Sequence, residues 1–285
     1  EKKLDIYLKA GINRFSVGAQ TFSDRLLKMV HREHNADQTL KTLQLLQKYK
    51  LNFSFDILFA LPTQTIDELR YDVSVAVDLG SKHISPYCLT VPEGHRLSKN
   101  RPLEDEQIEM FNIIDNELTQ KNFIQYELSN YALNSFESQH NLLYWTDQEY
   151  WGLGLSAHSY SKASEWGSRF WNINSFDLYA EQMQSDRAQK NLDAYNPKQI
   201  ENLTQAQSLT DFCYTSLRLK QGLSVEKLMH KFGPKTLGLI EKQSADLIKR
   251  QFMSLENGRL SLTRQGQLIS NQIFEKFAFF AEDLA

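Results

Sequence analysis

Gln20, Arg32, Asp56 and Thr90 are the side chains in the first third of the sequence whose types and places could do chemistry. Asp56 lies inside the stretch 53–65, Phe-Ser-Phe-Asp-Ile-Leu-Phe-Ala-Leu-Pro-Thr-Gln-Thr. That stretch is apolar, rich in aromatic residues and too short for a buried helix, which predicts a strand buried on both faces. A lone carboxylate inside such a strand is costly unless something hydrogen-bonds or neutralises it. It is either a strand-end aspartate capping a neighbouring loop or a ligand-facing carboxylate in a barrel mouth. Gln20 ends an alternating stretch over 12–20, Arg32 follows it, and Thr90 ends a third β-prone stretch over 83–90. An amide, a carboxylate, a hydroxyl and a guanidinium at one rim could grip a polar zwitterion or a nucleoside. The plainer alternative pairs Arg32 with a carboxylate of the protein itself.

A second concentration lies further on. All four tryptophans fall between Trp145 and Trp171, beside His140 and His158. One reading is a packed aromatic wall with its indole and imidazole groups satisfied internally. The other is a pocket for a large flat ligand, with His140 or His158 as a metal or carboxylate contact and Gly152 and Gly154 letting the backbone approach closely.

The elements that must position these groups follow from caps and periodicity. Asn35 with Gln38, and Thr65 with Glu68, form capping-box patterns that open helices to about 50 and 80. With strands over 12–20, 53–59 and 83–90 they give a β-α-β-α-β rhythm, hence parallel units in which ligands bind beyond the carboxyl ends of the strands. A helix over 103–121 and a strand over 124–131 follow. The polar segment 182–202 predicts a linker. Beyond it, helices over 203–220, 224–231 and 234–250, a hairpin turning at Asn257-Gly258, and a helix from Thr263 to about 277 make a winged-helix pattern. Two domains are expected, 1–185 and 203–285. The second helix of the winged-helix pattern lacks a dense basic face, so the module is read as a packing or interaction domain and no nucleic acid is expected.

Composition bounds the class. The 285 residues are 41% hydrophobic and 24% charged with a net charge of −3, an ordinary globular balance without an electrostatic case for nucleic acid or acidic lipid. No apolar run approaches the ~20 residues of a membrane-spanning helix. The two cysteines, Cys88 and Cys213, are far apart in sequence, which fits a reducing, cytoplasmic setting.

Residues 11–22, Gly-Ile-Asn-Arg-Phe-Ser-Val-Gly-Ala-Gln-Thr-Phe, then Arg32 with Asn35-Ala36, resemble the middle of a radical SAM protein of the oxygen-independent coproporphyrinogen III oxidase superfamily. The run from Asp56 to Pro62 with Gln64-Thr65 is similar to the next barrel strand of that family. The stretch His140-Asn-Leu-Leu-Tyr144-Trp145 resembles the His-Asn-x-x-Tyr-Trp signature of its HemW branch, the haem chaperones. The resemblance implies an α/β fold, a partial parallel (β/α) radical SAM barrel with a C-terminal winged-helix-like helical domain. It implies S-adenosylmethionine (SAM) contacts at Gln20, Arg32 and Asp56, and with them Thr90 and Ala157. Asp56 would take the ribose hydroxyls, Arg32 the carboxylate, and Gln20 would orient the molecule. His140, Tyr144 and Trp145 would lie near a haem, which an unidentified acceptor protein would receive. The family's Cys-x-x-x-Cys-x-x-Cys motif is absent, so no metal ligands are expected in these residues. The resemblance therefore implies an N-terminally truncated chain, its [4Fe-4S] cluster belonging to the intact protein. The rival expectations are an oxygen-independent coproporphyrinogen III oxidase and a non-catalytic interaction scaffold.

Overall fold

Helix α1 (Lys2–Lys9) stops at Ala10, and Gly11 beyond it takes φ +86°, a left-handed turn that leads the chain into strand β1 (Arg14–Gln20). The computed structural model describes residues 1–92, 94–184 and 197–284. It divides into two units, Glu1–Ser138 and Gln139–Ala285.

In the first unit β1 is followed by α2 (Asp24–Met29), α3 (Ala36–Lys48), β2 (Asn52–Phe59), α4 (Ile66–Asp78), β3 (His83–Cys88), α5 (Glu104–Gln120), β4 (Ile124–Glu127) and β5 (Asn130–Ala132). Both capping boxes form: Asn35 Oδ1 accepts the Gln38 N–H at 2.9 Å, and Thr65 Oγ1 accepts the Glu68 N–H at 3.2 Å. Thr65→Ala is expected to cost about 1 kcal/mol, read as a lower urea midpoint for this unit. The sheet order is β1-β2-β3-β5-β4, with β1, β2 and β3 parallel and β1 at one edge.

Two expectations change here. The single strand over 124–131 is an antiparallel pair, turned at Leu128-Ser129, where the Glu127 carboxylate accepts the Ser129 N–H at 2.9 Å. Strand β2 is buried or half-buried on both faces, as expected, but only one of them is apolar. Phe53, Phe55, Ile57 and Phe59 pack into the core against Leu43, Leu46, Leu69, Val73 and Ala76. The alternate residues Asn52, Ser54, Asp56 and Leu58 form the opposite face, where polar residues predominate.

The second unit begins with α6 (Gln139–Trp145). Strands β6 (His158–Ser161) and β7 (Ser168–Trp171), helix α7 (Phe176–Gln184) and strand β8 (Ile200–Asn202) follow, the strands pairing antiparallel in the order β6-β7-β8. Of the linker expected over 182–202, residues 185–196 lie outside the described residues, while the part at Ile200–Asn202 is strand. Then come α8 (Gln205–Arg218), β9 (Leu223–Ser224), α9 (Val225–Phe232), α10 (Pro234–Lys249), β10 (Met253–Glu256), β11 (Arg259–Leu262), α11 (Arg264–Leu268) and α12 (Ser270–Glu275). The hairpin turns at Asn257 (φ +51°) and Gly258 (φ +71°), and β9 completes a three-stranded wing. The single final helix expected from Thr263 is two short ones, broken at Ile269 (φ −115°, ψ 26°). No helix among the described residues is long and apolar enough to cross a membrane.

Candidate functional site

The parallel register brings one polar face together. Arg14 stands beside Asn52, Ser16 beside Ser54, Ser54 beside His83, and Asp56 beside Ser85. Arg14 Nη2 donates to Ser54 Oγ at 3.2 Å, and His83 Nε2 shares a 2.8 Å hydrogen bond with the Tyr126 hydroxyl. Burial pushes the Asp56 carboxyl above the ordinary aspartate value, against the hydrogen bond from Ser85 and the charges of Arg14 and Arg32. Burial, helped by the Arg14 charge, lowers His83 to about 4, so this imidazole is neutral at pH 7. Arg14 Nε, Asn52 Oδ1 and His83 Nδ1 are buried and make no hydrogen bond among the described residues. A face that leaves such atoms unpaired suits a polar ligand, since each costs free energy while unmet.

Gln20 ends β1 with φ +66° and is buried, its amide folded over Gly18. A Cβ at Gly18 would stand 2.8 Å from Gln20 Nε2, so glycine there makes room for the amide. The turn after Gln20 is held by α4. Phe22 N donates to Asp72 Oδ1 at 2.7 Å, and Ser23 Oγ donates to Glu68 Oε1 at 3.0 Å. Arg25 grips both oxygens of Glu68 at 2.9 and 2.8 Å. Arg32 is exposed, and its charge reaches Asp56. Thr90 lies two residues beyond β3, exposed, its hydroxyl donating to Cys88 O at 3.4 Å. Asp56 and Arg32 are thus electrostatically linked, Gln20 closes the neighbouring strand, and Thr90 stands apart at the rim. Arg14, Asn52, His83, Ser85 and Tyr126 were not singled out in the sequence. The signal was there in the alternation of each strand, once three strands are laid side by side in parallel register.

The remaining candidates belong to the second unit. His140 is exposed on α6, with Nε2 3.0 Å from the Tyr144 hydroxyl and the two rings edge to face. Trp145 is half-buried beneath the Arg218 guanidinium, 4.5 Å from its ring centre. Ala157 accepts the Asn172 N–H at 3.0 Å. The tryptophans do not build one wall: Trp166 stacks on Phe232, Trp171 lies beside His158, and Trp151 meets Phe170 edge-on while 61% exposed. The close approach at Gly152 is internal, because a Cβ there would stand 2.4 Å from His158 O.

The cysteines do not fit a [4Fe-4S] cluster. Cys213 is fully buried in α8 and Cys88 sits beside Arg101, one in each unit, and three thiolates on one loop are needed. No group of three or more His, Cys, Asp or Glu side chains among the described residues could hold a metal.

Residues 1–75 match the Radical SAM superfamily, and residues 203–269 match the HemN C-terminal domain. A protein described as heme chaperone HemW from Bacillus subtilis (strain 168) is 29% identical over 284 residues, covering 97% of this chain and 72% of its own length. The protein of the same description from Lactococcus lactis subsp. lactis (strain IL1403) is also 29% identical, with the same two shares. The one from Escherichia coli (strain K12) is 33% identical over 156 residues, 53% of this chain and 41% of its own length. Among solved structures, coproporphyrinogen III oxidase (HemN) from Escherichia coli, a radical SAM enzyme, superposes with a TM-score of 0.74 over 98% of this chain and 67% of its own. At 16% identity that likeness concerns the fold.

Proposed function

We propose that this chain, a HemW-like member of the radical SAM family, serves as a haem chaperone, binding haem and passing it to an acceptor protein in the cytoplasm. The observation that carries the reading is the His140–Tyr144 pair. An exposed imidazole held 3.0 Å from a tyrosine hydroxyl opens the second unit, in a chain whose relatives over 97% of its length are named haem chaperones. Imidazole is a common iron ligand, and the tyrosine fixes the ring's orientation. Tyr144 and Trp145 supply flat surface beside it.

In the first unit, Asp56, Arg32 and Gln20 fit the family's SAM: a carboxylate for the ribose hydroxyls, a guanidinium for the methionyl carboxylate, and an amide that orients the molecule, with Thr90 at the rim. When bound, SAM would supply a sulfonium nucleotide next to a cluster. The cysteines of residues 1–285 do not hold that cluster. What this chain's own residues do is bind and orient.

Haem titration followed in the Soret band tests the reading. His140→Ala is expected to lower haem affinity at least about tenfold and to shift the band. Equal affinity and spectrum in both proteins remove His140 from the site.

A further inference from the structure

We propose that a hollow in the second unit binds a flat, uncharged aromatic ring that carries an oxygen, the chemistry of a phenol. The hollow holds about 210 Å³ and lies between α6, the β6–β7 hairpin and α8. An apolar cavity of about 150 Å³ accommodates benzene, so one substituted ring fits here. Tyr150, Tyr160 and Arg169 stand side by side as one rung of the sheet. Tyr144 of α6 closes on Tyr150, their ring centres 4.4 Å apart and edge to face. Helix α8 lines the same hollow with Ser208, Asp211 and Thr215, three residues spaced to share one face. The three tyrosine rings and Leu203 supply the apolar surface against which such a ring packs.

The charged groups of the lining are already matched. Asp147 Oδ2 is 2.9 Å from Lys231 Nζ and 3.5 Å from Lys162 Nζ, and its Oδ1 accepts the Tyr160 hydroxyl at 3.1 Å. Arg169 is held between Glu201, at 3.3 Å, and Asp211. A charged ligand would enter among pairs that leave it no counter-ion, and an uncompensated charge away from water is costly. Most polar groups are engaged too. The Tyr144 hydroxyl meets His140 at 3.0 Å, Thr215 donates to Asp211 O at 2.8 Å, and Gln148 donates to Thr146 O at 3.1 Å.

Two hydroxyls remain. Ser208 is 2% exposed, and its Oγ makes no hydrogen bond among the described residues. Thr215, on the same face of α8, bonds the carbonyl four residues back, whereas the Ser208 hydroxyl makes no such bond. The half-buried Tyr150 hydroxyl feels Arg169 and Asp211 through their charges and has no hydrogen-bond partner among the described residues. A hydroxyl left unpaired away from water costs free energy, which a ligand oxygen recovers. Both hydroxyls can donate to that oxygen, while the tyrosine rings hold the ring that bears it. The site goes beyond the haem reading and shares Tyr144 alone with it.

The test titrates p-cresol into the whole chain, followed by ligand-observed NMR, with toluene, p-toluate and p-methylbenzylamine as comparators. The proteins are the unmodified chain, Tyr150→Phe and Ser208→Ala. Each substitution removes a hydroxyl that bonds nothing within the protein, so the urea midpoint of the second unit should stay level or rise. The unmodified chain is expected to bind p-cresol at least about fivefold more tightly than toluene, and at least about fivefold more tightly than either variant binds p-cresol. Both charged compounds should bind at least about tenfold more weakly. Absence of p-cresol binding, an affinity unchanged in either variant, or an equal affinity for a charged compound overturns the proposal. A lower midpoint in Ser208→Ala overturns it as well, because that hydroxyl would then be bonded within the fold. No arm of the test contains haem, so this site and the haem reading stand or fall separately.

Discussion

Asp72→Asn is expected to remove up to about 4 kcal/mol of pH-dependent destabilisation from the first unit. Asp72 lies on α4 and is 1% exposed. Oδ1 accepts the Phe22 N–H at 2.7 Å, and Oδ2 is buried without a hydrogen-bond partner. Burial raises its carboxyl from the ordinary 3.8 to about 7, over the opposing hydrogen bonds from Phe22 and Thr21 and with a further push from the Glu68 charge. An unfolded aspartate ionises near 3.8, whereas the folded one keeps its proton until about 7. Stability from this group is therefore intact at pH 4 and falls as pH rises to 7. His83, held neutral with a folded value of about 4, acts with the opposite sign between about 4 and 6.5. The difference between wild type and variant isolates Asp72. Urea unfolding followed by far-UV circular dichroism should show the variant's advantage small at pH 4, growing as pH rises, and full by pH 8. Parallel pH profiles would refute a protonated Asp72. Function is touched as well, because Asp72 fixes the turn that follows Gln20.

Asp72 also shows why part of the site was hidden in the sequence. The apolar stripe of α4 was legible from Leu69, Val73 and Ala76, and a 3.6-residue period places Asp72 in the same inward arc. Read alone it is one polar residue interrupting the apolar stripe; only the turn after β1, fifty residues earlier in sequence, supplies its partner. Local signals were legible: the Asn35 and Thr65 capping boxes and the Asn257-Gly258 turn depend on neighbours within four residues, and the parallel β1–β3 pairing followed from the alternation of strand and helix. The polar face of β2 was missed because Phe53, Phe55, Ile57 and Phe59 dominate the composition of that strand and mask the alternation. Asp56 drew notice as a lone charge, while Arg14 and His83 did not, since each acquires meaning from a strand alongside. The tryptophans misled for a related reason. Closeness in sequence suggested one wall, but each ring pairs with a different element.

Gly266→Ala is expected to destabilise the second unit by about 3 kcal/mol. Gly266 lies in α11, with its N–H donating to the Thr263 hydroxyl at 3.1 Å. A Cβ at this position would stand 1.9 Å from Phe252 O and 2.9 Å from Phe252 C. These are backbone atoms, and they cannot retreat cheaply. Phe252 O already accepts the Thr263 N–H at 3.0 Å, and Phe252 N donates to Leu247 O at 2.8 Å, fastening the start of the hairpin to the end of α10. One added methyl group must therefore push apart the cap of α11, the first strand of the wing or the last turn of α10. Mid-helix glycine normally weakens a helix relative to alanine, so propensity alone predicts the reverse sign. The opposition of signs makes the experiment decisive. All four tryptophans lie in Gln139–Ala285, so tryptophan fluorescence follows this unit without interference from the other. A drop of roughly 1 M or more in its urea midpoint is expected. An unchanged or higher midpoint would mean that the chain yields at Phe252, and that the wing is not pinned to the helix beside it.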